Sequence, residues 1–311
     1  MKNFKQIAIA AALCAASVVA SAQQPLPQPI PNQQQQGDRG EKGVAVQDGI
    51  AVRPMSRLRM IVPGEKIDQQ AQQQYAGMMG KAQEKGALAP DNHPQVIRLR
   101  AIAKRIIPYA PRWNPMSSKW NWQVNLLASD QVNAFCMPGG RIAFFSGILT
   151  TLKLTDDEVA AIMGHEIAHA LREHGREQMG KSAVTSVGAR VGGALIGAFL
   201  GIDPGITDTV AQYGAQLYSL KFSRDDEREA DLIGLDLAAR AGFDPRAGVV
   251  LWQKMGSLNK RAPMEWMSTH PGGADRMRKM NEHMDVLLPL YARSKGTSVN
   301  QLPPYRTVAI K

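Results

Sequence analysis

Two spacings of apolar residues run along the chain, and they predict most of its elements. Val96, Leu99, Ile102, Ile106 and Ile107 recur every three or four residues with Arg and Lys between them. That is a one-faced helix over about 91–108, opened by Asp91-Asn92-His93-Pro94 with a capping residue and a first-turn proline. The stretch 64–84 predicts a helix before it. Trp122, Val124 and Leu126 alternate, which predicts a strand over 120–128. Asn133–Met137 and Arg141–Phe145 predict two strands flanking the turn Pro138-Gly139-Gly140. Asn133, Ala134 and Phe135 then lie in a core hairpin or on an edge strand along which an extended peptide pairs by backbone hydrogen bonds; both readings stand. Helical spacing returns over 156–174, behind the capping box Thr155-Asp156-Asp157-Glu158, with Val159, Ile162, Ile167, Ala168 and Leu171 on the apolar positions. Further helices are expected over 206–220, from Ser223 to Ala241 with Gly242 as the stop, after Pro245 to Leu258, and from Gly273 to Leu288. The fold class is α+β, mainly helical, with a small β-sheet.

The ends and one interior stretch depart from these patterns. Residues 1–22 read as a cleavable signal peptide: Lys2 and Lys5, an apolar run Ile7–Val19, then Ala20-Ser21-Ala22. Leu13 precedes Cys14 where a lipoprotein signal wants a small residue, so lipidation is not expected. Residues 23–55 are a Pro/Gln-rich linker expected to be disordered. The main domain is expected over 56–290 and a peripheral tail over 291–311. Within 183–202, Gly193, Gly197 and Gly201 recur every four residues, but the uninterrupted apolar part, Val191–Ile202, is too short to span a bilayer. A flap or close-packed helix is the first reading there and peripheral membrane contact the second.

Composition narrows the function classes. The 311 residues carry a net charge of +10, and removal of Lys2 and Lys5 with the leader lowers it to +8. No basic stripe with interleaved aromatics accompanies that excess, so nucleic acid is not an expected partner; the excess reads either as a soluble basic surface or as attraction to anionic membrane surfaces or acidic partners. After removal of the leader only Cys136 of the two cysteines remains. That excludes an intramolecular disulfide and leaves a structural zinc module, whose shell is often closed by cysteines, as the weakest of three readings.

His165-Glu166-Ile167-Ala168-His169 is the stretch that carries chemistry. It is an HExxH sequence on the 156–174 helix. Two histidines four apart face the same way and suit two ligands of one tetrahedral zinc ion, and Glu166 stands where it can deprotonate a water. With 6 histidines in 311 residues, a chance match is improbable on so well-marked a helix. Arg172 and Gly175 occupy the positions where a metzincin has Gly and its third His. His174, five residues on from His169, points off the ligand face of a continuous helix, which predicts a supporting role. Glu227 and Asp231, four apart, could supply a third ligand and a carboxylate that steadies a ligand histidine. Spacing alone equally allows a solvated acidic face paired with Arg224 and Arg228.

Four ordered pieces change that balance: Asn133-Ala134-Phe135 with Pro138-Gly139-Gly140, then HEIAHALREH, then SRDDEREAD, then Ser268-Thr269-His270-Pro271. Together they resemble the zinc metallopeptidases that include the CAAX prenyl endopeptidase and HtpX, metallo-class peptidase family forty-eight. Without their multiple spans, the chain is similar to the exported branch of periplasmic BepA- and LoiP-type proteases. The resemblance implies a gluzincin-type metallopeptidase domain binding one Zn2+ per chain through His165, His169 and Glu227. It implies Glu166 as general base and Asp231 as the supporting carboxylate. It places His270 near the metal, as an oxyanion stabiliser or a removable fourth ligand. It implies a periplasmic zinc endopeptidase acting on exported, unfolded or misassembled outer-membrane and envelope polypeptides. The alternative is a latched protease serving mainly as a chaperone or assembly factor. Oligomeric state is not readable.

Overall fold

The structure is a computed structural model describing residues 48–191, 220–259 and 265–310. The leader, residues 23–47 of the linker, the 192–202 part of the glycine-spaced stretch and residues 206–219 of the helix expected over 206–220 lie outside the described residues.

The described elements run α1 (Gly64–Glu84), α2 (Pro94–Ile106), β1 (Gln123–Leu127), β2 (Ala134–Met137), β3 (Arg141–Phe145), α3 (Ser146–Thr151), α4 (Asp156–Leu171), α5 (His174–Val191), α6 (Arg224–Arg240), α7 (Arg246–Asn259), α8 (Glu265–Thr269), α9 (Ala274–Glu282) and α10 (Met284–Ser294). The fold is mainly helical with a small three-stranded sheet, as the apolar pattern implies. No described helix is long and apolar enough to cross a membrane.

The sheet order is β1-β3-β2, with β1 parallel and β2 antiparallel to β3. Strand alternation sends Ile142 and Phe144 into the larger apolar cluster with Leu99, Ile162 and Ile233. It sends Phe135, Met137 and Ala143 to the opposite face, against Ile67, Ala71 and Tyr75 of α1. The β2–β3 hairpin turns at Gly139 and Gly140, both at positive φ near 80°, which any side chain would strain. Phe145 N–H donates to Asn133 O, so the antiparallel alternation leaves the N–H and C=O of Ala134 and Cys136 on the outer edge of β2. Asn133 Oδ1 accepts from the Ala134 N–H at 2.9 Å.

α4 and α6 cross at the centre. The Thr155–Glu158 capping box opens α4, and a second box, Ser223–Asp226, opens α6. Gly164 meets Gly234 at the crossing, so closely that a Cβ on either would lie 2.5 Å from backbone of the other helix.

Three local expectations change. The helix expected over 156–174 stops at Leu171, because Glu173 adopts a left-handed conformation, φ 54°, and α5 restarts at His174. The helix expected over 273–288 divides at His283 into α9 and α10. Residues 48–55, grouped with the linker by composition, lie on the domain: Ile50 is buried and its N–H donates to Asp236 Oδ2, while Arg53 pairs with Asp226 and Glu229. The tail also packs rather than standing clear. Tyr305 Oη lies 3.0 Å from Thr155 Oγ1, and Thr307 Oγ1 donates to Glu158 Oε1 at 2.5 Å, over the start of α4.

Candidate metal centre

α4 presents His165, Glu166 and His169, α6 presents Glu227 and Asp231, and the residue after α8 presents His270. His165, Glu166, His169, Glu227 and His270 are each 4% exposed or less. One donor atom from each of His165, His169, Glu227 and His270 falls within 4.8 Å of all the others. His165 Nε2 lies 3.1 Å from His169 Nε2 and 3.2 Å from His270 Nδ1. Glu227 oxygens lie 3.5 Å from His165 Nε2 and His169 Nε2, and 3.0 Å from His270 Nδ1. A tetrahedral zinc with bonds of about 2.0–2.1 Å spaces its ligand atoms roughly 3.3 Å apart. This buried set of nitrogens and one carboxylate therefore fits such an ion in both chemistry and spacing. Among the described residues it is the one group of that kind.

Electrostatics favour positive charge at the same point. Burial would raise the Glu227 carboxyl, but His270, His165 and His169 outweigh it and hold the group far below its usual range. Burial pushes His165 down, yet its bonds to Asp231 and Glu227 carry it up to about 9. Burial holds His169 well below the ordinary imidazole value, and the neighbouring histidines add to that against Glu227.

The carboxylates are braced from outside. Asp231 Oδ1 lies 3.1 Å from His165 Nδ1. Arg276 of α9 donates to both Asp231 oxygens at 2.6 Å and sets Nη1 2.6 Å from Glu227 Oε2. Its guanidinium lies 3.7 Å over the Trp252 ring. Trp266 of α8 donates its indole N–H to Glu166 Oε1 at 2.8 Å and stacks on His270. Phe222 stacks on His169 with centroids 3.9 Å apart. β2 runs beside this cluster: Cys136 on its outer edge feels the Glu166 charge, which adds to burial in pushing the thiol well up.

All the singled-out helix residues thus converge, and Asn133, Ala134 and Phe135 lie at and just before the start of the edge strand. Arg276, Trp266 and Phe222 were not anticipated. Two signals existed: Arg276 shares its helix face with buried Met280, and Trp266 stands four residues before His270. Phe222 had none.

The model of Peptidase family M48 matches residues 95–284. The chain is 37% identical over 173 residues to mitochondrial metalloendopeptidase OMA1 of Arabidopsis thaliana, covering 55% of this chain and 34% of that protein. It is 29% identical over 209 residues to metalloprotease LoiP of Escherichia coli, covering 65% and 75% respectively. It is 29% identical over 187 residues to the beta-barrel assembly-enhancing protease of Yersinia pestis, covering 57% and 37%. The chain thus spans about a third of the plant relative's length.

Proposed function

Because the chain belongs to peptidase family M48, we propose that it is a zinc metalloendopeptidase that cleaves unfolded or misassembled polypeptides of the cell envelope. The observation that carries this reading is the buried four-donor cluster with Glu166 beside it. His165, His169 and Glu227 would hold one Zn2+ per chain. When bound, zinc supplies a Lewis acid that polarises the scissile carbonyl and acidifies a water. The chain's own groups do the rest. Glu166 takes the proton of the attacking water and passes it to the leaving amine. Trp266 N–H holds Glu166 Oε1, the oxygen that lies 3.6 Å from His270 Nε2. The outer edge of β2 offers the backbone groups of Ala134 and Cys136 to an extended substrate, once Asn133 Oδ1 releases the Ala134 N–H.

The signal-like residues 1–22 support export to the periplasm, with 56–290, extended by the packed residues 48–55, as the catalytic domain. One relative's name, beta-barrel assembly-enhancing protease, supports outer-membrane proteins as the substrate class. A latched form, acting as an assembly factor, is favoured by one observation: His270 Nδ1 sits at the fourth corner of the cluster, where a catalytic site keeps an open position. In that resting state His270 must swing away before water enters. His270→Ala should therefore raise cleavage of an unfolded substrate while zinc stays bound; a loss of turnover would instead make His270 a stabiliser of the oxyanion.

The reading is tested by measuring zinc content and cleavage of an unfolded protein by the purified chain. One zinc per chain, cleavage stopped by a chelator and restored by zinc is the expected result. A metal-free or chelator-indifferent protein would remove it. Trp266→Phe keeps a ring against His270 but withdraws the donor to Glu166. A hydrogen bond to a charged group is worth about 1.5 kcal/mol or more, so turnover should fall about tenfold with zinc content unchanged.

A further inference from the structure

The two helix histidines of the cluster are braced differently at their outer nitrogens. His165 Nδ1 faces the Asp231 carboxylate at 3.1 Å. His169 Nδ1 faces another histidine: Nδ1 of His174, 1% exposed, at 3.0 Å. Resting on the reading of His169 as a metal ligand, we propose that His174 is a positioning residue, whose Nδ1 accepts the His169 Nδ1–H and thereby fixes the tautomer and edge that His169 turns to the metal.

Two Nδ1 atoms can share only one hydrogen, so one ring donates and the other accepts. His169 Nε2 is the atom that points into the cluster, 3.1 Å from His165 Nε2 and 3.5 Å from Glu227 Oε1. To offer a lone pair there, neutral His169 carries its proton on Nδ1. His174 Nδ1 must then accept, and the His174 proton goes to Nε2. That atom is buried, makes no hydrogen bond among the described residues, and points towards Glu229 Oε1 at 3.8 Å. Glu229 is held there by the guanidinium groups of Arg53, at 2.7 Å, and Arg172. A fixed negative charge on that side favours the proton on His174 Nε2, which keeps Nδ1 an acceptor. The Phe222 stack sets the plane of the His169 ring, and His174 sets which edge faces in.

The arrangement exists because α4 stops. On an unbroken helix, a residue five positions on from His169 points well off its face. The left-handed Glu173 folds the chain back. Its carboxylate takes Arg59 at 2.7 Å and Arg176 at 2.5 Å, which offsets the strain of that conformation. α5 then starts with His174 against His169.

The test uses isosteric substitutions on the purified chain, with zinc affinity read by competition against a chromophoric chelator. In His174→Asn the amide oxygen takes the place of Nδ1 and still accepts. His174→Leu has the same branched shape with no acceptor. His174→Gln is polar but puts its oxygen near the Nε2 position. The parent and the Asn chain should agree within about threefold, and the Leu and Gln chains should bind zinc about 10–100-fold more weakly. The visible spectrum of bound cobalt should change in Leu and Gln and not in Asn. Thermal unfolding of the metal-free chains reports the fold, and if Leu does not fold, Gln carries the comparison. A packing role would rank Leu with Asn. Parent-like affinity in Leu and Gln, or Asn as weak as either, overturns the inference and leaves the metal reading standing. No zinc bound by the parent overturns the metal reading and this inference together.

Discussion

Glu166→Gln is expected to abolish measurable cleavage while leaving one zinc per chain and an unchanged or slightly higher melting temperature. The carboxylate is 3% exposed, receives the Trp266 N–H at 2.8 Å, and has His270 Nε2 at 3.6 Å. One hydrogen bond does not repay the transfer of a carboxylate into such surroundings. A group kept there at a cost to stability is a candidate for chemistry. Glutamine has the same length and can still accept from Trp266, so the pocket keeps its shape. What it lacks is basicity. Loss of a general base costs about 10²–10⁴ in rate. The measurement pairs turnover of an unfolded protein with metal analysis and thermal unfolding on the same preparation. A fully active Gln variant would transfer the proton to another group. A variant without zinc would mean that Glu166 acts through the metal site's structure instead.

Much of this centre could be read from the chain because it rests on local order. The Thr155–Glu158 box starts α4 in a fixed phase, so the four-residue spacing of His165 and His169 translates directly into one face. The Ser223–Asp226 box does the same for Glu227 and Asp231. Spacing alone could not rank the acidic residues of SRDDEREAD. Asp225 pairs with Arg228 at the surface, whereas Asp226, Glu227, Glu229 and Asp231 are buried. What separates them is tertiary: Arg53 comes from the N-terminal segment, Arg172 from the end of α4 and Arg276 from α9. The family resemblance supplied that choice. The break at Glu173 was invisible for a related reason. No glycine or proline marks it, and the left-handed residue is held by arginines more than a hundred residues back, at Arg59, and three ahead, at Arg176. Residues 48–55 gave no pattern, because one buried apolar residue, Ile50, and single polar contacts hold them rather than a repeating apolar face. The expectations on 1–47 and 192–219 lie outside the described residues.

Gly234→Ala is expected to destabilise the chain by about 3 kcal/mol and to weaken zinc binding with it. In an exposed helix the same change stabilises by about 0.5–1 kcal/mol. Here the sign reverses, because a Cβ on Gly234 would lie 2.5 Å from His165 N and 2.8 Å from Gly164 C, all backbone of α4. No rotamer relieves a clash between two helix backbones. The helices must part by roughly 1 Å, and overpacking of that kind costs about 1–3 kcal/mol, here near the upper end. The cost reaches function directly. His165 and His169 ride on α4, while Glu227 and Asp231 ride on α6, across that contact. Parting them lengthens the 3.1 Å His165–Asp231 contact and the 3.5 Å spacings from Glu227 to both histidines. Gly80→Ala on α1 serves as the control, since a Cβ there meets nothing within 4 Å. It should raise the melting temperature and leave zinc affinity alone. If Gly234→Ala melts and binds zinc like the parent, the α4–α6 crossing has slack, and the ligands are held by their ion pairs rather than by the contact of the two helices.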